Sequence, residues 1–318
     1  MLTNPVTRKL VILCHGFLVL VIAFALTAWH FKLSVDVPIA ISFILLLAPY
    51  WAFGFGIEQL LCRHASPLAP LLLLLPYLIF AVPTHHFLWT MCLGMAALVL
   101  FISLLLHHAH VASPGHPDWH DAIVLALLGF SVEFHLFDKA WPVGGLSGMP
   151  KLLFLDAALY GYLVLRPIGG IGFDFRAKLS DLGIGLREFL YYTPVAIAIG
   201  FLLQFLHLHK TLSSPLAFAA GWLFTLFFVA MPEELFFRGL MLNMLERRID
   251  TNRALAVTSV VFGLAHFNKR TQYFNWRYVI LAAIAGVFYG RAWLARRRLL
   301  ASAITHTTVD TVWSIWLR

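Results

Sequence analysis

The chain has 318 residues, of which 61% are hydrophobic and only 12% charged, with a formal net charge of +8. Soluble domains carry about 25% charged residues, and a fold of this length has too little interior to hide so much apolar surface, so soluble enzymes and disordered chains are excluded. The leucine runs 71–75 and 104–106 lack the period-2 alternation of a membrane barrel, which leaves an all-α, polytopic transmembrane helical bundle.

Taken in chain order at about 20 residues per span, the apolar segments predict about eleven spans, eight at the least. They fall at 10–30, 37–61, 67–83, 87–106, 121–137, 152–165, 189–208, 216–245, 254–267, 278–295 and 299–317. The first follows Arg8 and Lys9 like the opening of a signal peptide. It lacks a small-residue cleavage site and is read as a retained helix. The segment 67–83 carries Pro67, Pro70, Pro76 and Pro83, and 152–165 and 254–267 are short. Residues 1–165 form a set of N-terminal transmembrane helices of unknown role. The glycine-rich, basic stretch 166–188 reads as an interfacial cytoplasmic connector, and 189–318 is a second set of helices.

Basic residues test this layout. With an odd span count and the N-terminus inside, fourteen of the Lys and Arg residues fall on the cytoplasmic side and eight outside, with Arg238 inside a span. The bias follows the positive-inside rule and predicts a cytoplasmic N-terminus. The same residues form short clusters and no continuous stripe, so no nucleic-acid partner is expected. Cys14, Cys62 and Cys92 have no CxxC spacing and suggest neither disulfides nor a thiolate metal site.

Ionisable groups inside a bilayer cost several kcal/mol and mark function by default. The acids within the predicted spans are Glu58, Glu133, Asp156, Glu233, Glu234 and Asp310. In the stretch 231–239, MPEELFFRG, Glu234 and Arg238 are spaced i, i+4 and can pair on one helical face. Glu233 points about 100° away and is left free to act. Pro232 can kink the helix beside it. The stretch 262–266 (FGLAH) places a histidine on the next helix. The stretch 306–310 (HTTVD) puts His306 and Asp310 one turn apart, so the acid can orient the imidazole or join it as a ligand. At about 1.5 Å per residue, Glu233, His266, His306 and Asp310 lie at overlapping depths, roughly 10–20 Å from the basic helix ends. A single intramembrane His or Glu is more often a packing hydrogen bond than a catalyst. Six such groups at matching depth can instead bind and activate water.

The ordered set EExxxR (Glu233, Glu234, Arg238), FxxxH (Phe262, His266) and HxxxD (His306, Asp310), with the glycine-containing stretch 286–290 (GVFYG), resembles the CPBP family. This is the CAAX-protease and bacteriocin-processing group of intramembrane endopeptidases, also called the Abi family. The resemblance covers 175–318 and implies a catalytic helical core at 189–318. It implies hydrolysis of a peptide bond in a membrane-associated protein or peptide, with Glu233 as general base and His266 holding the water. His306 would stabilise the oxyanion with the residue at 310, and Glu234 and Arg238 would hold the motif helix. Many members look to carry Asn where this chain has Asp310. An ionised Asp310 would repel an oxyanion, so it must be protonated, orient His306 or bind a metal.

Metal dependence stays open at this point. Glu233, His266 and His306 can be drawn as a His₂Glu zinc site with an open position for water. The alternative, favoured because the spacing is not HExxH, is metal-free catalysis driven by the glutamate. Two other functions fit the same residues. A proton-coupled transporter would use the cluster as a relay, although no inverted repeat is evident. A non-catalytic immunity or scaffold protein would keep the fold for binding. His107, His108, His110, His116 and His120 with Asp118 and Asp121 are read as a solvated interfacial loop and not as a metal site. A bacterial inner membrane is the expected location. Oligomeric state is not legible.

Overall fold

A computed structural model describes residues 36–142, 148–208, 214–269 and 274–317, with scattered positions between 10 and 25. The predicted first span, 10–30, lies mostly outside the described residues. Every regular element among the described residues is helical. The chain divides into two compact units, Met1–Gly169 and Gly170–Arg318.

The first unit contains α1 (Val37–Gly54), α2 (Leu75–Ala81), α3 (Trp89–Ala112), α4 (Trp119–Glu133) and α5 (Met149–Tyr160). The proline-rich segment predicted as one span at 67–83 is a 3₁₀ turn, Ala69–Leu74, running into the short α2. Its core gathers around Trp141, packed on Tyr77 and Phe80, with its indole N–H donating to Ser42 at 3.3 Å. Arg166 is fully buried in this unit. It donates to Asp121 at 2.9 and 3.0 Å and to the carbonyls of Ser113 and His116 at 3.1 and 2.7 Å.

That clamp corrects the reading of the histidine-rich stretch as a solvated loop. His107, His108 and His110 lie on α3, Asp118 caps α4, and His120 and Asp121 are buried. The buried guanidinium draws the acid inward, because an isolated buried charge is far costlier than a paired one. No group of three or more His, Cys, Asp or Glu side chains able to hold a metal ion occurs among the described residues.

The second unit contains α6 (Leu179–Leu202), α7 (Pro215–Leu245), α8 (Thr251–Leu264), α9 (Trp276–Arg296) and α10 (Leu299–Trp316). Helix α6 starts ten residues before the span predicted at 189, inside the stretch read as a connector, where Asp181 accepts from the Lys178 backbone N–H as a cap. One end of this unit is tied together by charge. Arg298 donates to Asp181 at 2.8 Å and to Asp174 at 3.0 Å, Arg297 pairs with Glu246, and the Leu299 N–H donates to the Gly172 carbonyl. A Cβ at Gly172, whose φ is +77°, would collide with the Arg297 carbonyl, so glycine is needed at this closure. Burial alone would raise the Asp174 carboxyl, but hydrogen bonds from Arg176 and Arg298 outweigh it and hold that carboxyl below its usual range.

Among the described residues, five helices are long and apolar enough to cross a membrane, α1, α3, α6, α7 and α9. A sixth crossing results if the bent pair Glu58–His64 and Ala69–Ala81 counts as one span. The count of about eleven is therefore not recovered. Two elements show why. Helix α8 has 14 residues, about 21 Å of rise against a hydrocarbon core of about 30 Å. Helix α10 is interrupted by His306, Asp310 and four threonines. Of the motif residues, α8 carries Phe262 and α10 carries His306 and Asp310, and His266 follows the end of α8.

Candidate active site

The site is built from α7, the C-terminal end of α8, α9 and α10, all in the second unit. Helix α7 does not keep regular α geometry. It passes through π-helical turns at Leu226–Ala230 and Leu235–Leu242, with only Met231–Glu234 regular between them. Such turns insert a residue into the helical repeat, re-aim side chains, and recur at functional positions. Pro232 adds a missing backbone donor at the same place. The two glutamates thus sit on a locally irregular helix within an otherwise apolar span.

Glu234 is fully buried. Its Oε1 accepts from Arg238 Nη1 at 2.9 Å and from His306 Nδ1 at 2.8 Å, and its Oε2 accepts from the Ser302 hydroxyl. Arg238, also buried, donates from Nη2 to the Gly286 carbonyl at 3.0 Å and lies 4.5 Å over the Phe262 ring. Gly286 permits this approach, since a Cβ there would press on Ser259 of α8 at 3.1 Å and on Arg238 itself at 3.4 Å. Small residues let membrane helices close to this range.

Glu233 behaves differently from its neighbour. Its side chain is 37% exposed, and its Oε2 makes no hydrogen bond among the described residues. It stands 3.9 Å from His306 Nε2, and on the same nitrogen Asp310 Oδ2 stands at 3.4 Å. With Nδ1 committed to Glu234, His306 presents Nε2 to both remaining carboxyl groups. The imidazole is stacked on Tyr289, with centroids 4.6 Å apart, and meets Phe262 edge-on at 5.7 Å.

His266 lies in a turn just beyond the end of α8. Its Nδ1 is 2.8 Å from the Phe262 carbonyl, an arrangement in which Nδ1 carries the proton and Nε2 is the free acceptor. Phe262 stands between the two histidines, 4.8 Å from the His266 ring, and also under Arg238. A cavity opens beside this cluster. It is lined by His266, His306 and Asp310 and walled by aromatic side chains that include Tyr192, Tyr278 and Trp313.

The structure therefore brings together Glu233, Glu234, Arg238, His306 and Asp310 through direct contacts. His266 joins through Phe262 and the cavity wall, with no hydrogen bond to Glu233 or His306 among the described residues. Among the described residues Glu233, His266 and His306 form no group of three that could hold a metal ion. Two participants were not picked out from the sequence. Ser302 and Tyr289 both touch the central pair, and Ser302 has a legible signal, falling one turn before His306 on the stripe Ser302, His306, Asp310.

These features define a class: an integral, polytopic helical membrane protein with an acid–arginine–histidine cluster buried among its helices. Residues 215–312 match the family model described as Rce1-like, type II CAAX prenyl endopeptidase. The match is consistent with the CPBP and CAAX-protease resemblance carried by the three motifs, and it contains all of them while covering less than half of the chain. No curated protein and no solved structure matches the chain.

Proposed function

We propose that the protein is an intramembrane endopeptidase of the CAAX-protease type, hydrolysing a peptide bond in a membrane-associated protein or peptide. The observation that carries this reading is the contrast between adjacent glutamates. Glu234 has its hydrogen-bonding capacity taken up by Arg238, His306 and Ser302, whereas Glu233 keeps a buried, unbonded oxygen close to His306 and Asp310. Carboxyl groups in such unlike surroundings take different chemical roles.

In this mechanism Glu233 removes a proton from water, and the resulting hydroxide attacks the carbonyl carbon of the scissile bond. His266, with Nε2 free, accepts a hydrogen bond from that water and holds it. His306 donates from Nε2 to the oxygen that gains charge, its ring fixed by Glu234 behind and Tyr289 beneath. When the carbon–nitrogen bond breaks, the proton held by Glu233 passes to the leaving amine, and the acid proton left on the new carboxyl group follows, giving a free carboxylate and an ammonium group. Asp310 steers His306 Nε2 between turnovers. Every step uses the chain's own side chains.

The matched family's description, a CAAX prenyl endopeptidase, supports a CAAX-type substrate, and the aromatic cavity beside His266, His306 and Asp310 suits an apolar chain. The charged end of the second unit carries Arg247, Arg248, Arg253 and Arg296–Arg298, which under the positive-inside rule faces the cytoplasm. We place the protein in a bacterial inner membrane with a cytoplasmic N-terminus, in contact with bilayer lipid and its peptide substrate. Glu233→Ala and His266→Ala should each abolish peptide cleavage while the purified proteins keep wild-type melting temperatures. Cleavage at the wild-type rate in both variants would sink the proposal.

A further inference from the structure

Ser302 is fully buried on α10 and does not line the cavity. Its hydroxyl has two acceptors within reach, Glu234 Oε2 and the Tyr289 carbonyl, the latter at 2.7 Å. A serine has one proton to give. The Tyr289 carbonyl already sits within the backbone ladder of α9, Trp276–Arg296, and loses little when the hydroxyl turns away. Glu234 Oε2 is in a different position. Both other donors, Arg238 and His306, are on Oε1, so without Ser302 the second oxygen would be buried and unbonded, which costs more for a charged group than for a neutral one.

A carboxylate held on one oxygen only is also free to rotate about its terminal bond. Held on both, its plane is fixed, and the His306 Nδ1 bond that depends on Oε1 is fixed with it. The polar groups fall at successive turns, Ser302, His306 and Asp310, so a single face of α10 sets the carboxylate, the imidazole and the acid that steers it.

We infer that Ser302 is a positioning residue for the hydrolytic site. Its hydroxyl locks the Glu234 carboxylate and through it the His306 imidazole. The inference rests on the peptidase reading, and it adds a third tie to Glu234 that lies outside the three motifs.

Ser302→Ala removes one oxygen and no carbon, so the packing survives. The expected result in a peptide-cleavage assay is a fall in kcat of about tenfold or more, the scale of one hydrogen bond to a charged group, with KM unchanged. Ser302→Thr, which keeps the hydroxyl, restores kcat toward wild type. A second readout does not depend on cleavage. In protein labelled at its histidine nitrogens, the His306 Nδ1 resonance, assigned by its loss in His306→Asn, shifts in Ser302→Ala and returns in Ser302→Thr. An unshifted Nδ1 resonance in Ser302→Ala overturns the inference even if the wild type cleaves nothing. Wild-type kcat in Ser302→Ala, or a loss confined to KM, overturns it while leaving the peptidase reading intact.

Discussion

Each unit of the molecule buries one arginine against a carboxylate, and the two pairs are put to different ends. Arg166 in the first unit donates twice to Asp121 and once to each of two loop carbonyls. It ties the end of α3, the cap of α4 and the chain after α5 into one clamp. Arg238 in the second unit spends one donor on Glu234 and one on the Gly286 carbonyl. Glu234 passes the constraint on to His306, and beside it Glu233 is left with an unbonded oxygen. A buried charge whose partners close on themselves is a staple. One whose partner leads outward to unsatisfied groups at a cavity is placed to be a working part.

The sharpest way to break this comparison is to neutralise the unbonded glutamate beside the second pair. Glu233→Gln should lower kcat at least a hundredfold, within the range of about 10² to 10⁴ for a general base, with no change in melting temperature. If it instead destabilises the fold and leaves kcat alone, Glu233 is structural and the two regions are alike.

The staple and the wired pair should then separate by assay. Arg166→Met should cost about 3–5 kcal/mol of stability, because it leaves Asp121 buried without its cation. The folded fraction should retain wild-type specific activity. Arg238→Met should cost a similar amount and also abolish cleavage in the folded fraction. Denaturation in detergent followed by activity measurements on the surviving fraction distinguishes the two outcomes.

How much of this was legible beforehand follows from what spacing can report. The pairs Glu234–Arg238 and His306–Asp310 are i, i+4 on their own helices, and helical periodicity reveals them directly. The bond between Glu234 and His306 spans two helices and depends on how close α7 comes to α10. No local pattern carries that. Ser302 lay on the visible stripe with His306 and Asp310, but a serine in an apolar helix is common enough to pass unremarked. In the first unit, Asp121 was visible as an acid near histidines, while its cation, Arg166, lies 45 residues away, so the stretch looked solvated. The count of about eleven spans is not recovered for a related reason: α8 is short and α10 carries His306 and Asp310 among four threonines.

A smaller effect is expected at Asp310, where many members of the resembling family look to carry Asn. Asp310→Asn should keep kcat within about tenfold of wild type, since the amide can still accept from His306 Nε2 and can donate to an oxyanion. Asp310→Leu should lose a further tenfold or more. Equal activity in Asp310→Leu and wild type would remove Asp310 from the site.

The smallest effect concerns the charged end of the second unit, away from the cavity. The Asp174 carboxyl is held below its usual range in the fold. It therefore contributes stability that is full above the ordinary carboxylate pKa and is lost as pH falls through the lowered folded value. Because Asp174 is partly exposed, the contribution should be under about 1 kcal/mol. Melting curves of wild type and Asp174→Asn should differ at neutral pH and converge on acidification below about pH 4. A constant gap across that range would contradict the assignment.

The central claim is that Glu233 is the base of a peptide hydrolase embedded in the membrane. Its most direct test is mass spectrometry of a library of membrane-inserted peptides, with and without lipidated C-terminal segments, incubated with purified wild type or Glu233→Gln. The account predicts new peptide termini with the wild type, undiminished by a metal chelator, and none above background with Glu233→Gln. New termini appearing at equal rates with both proteins would contradict it.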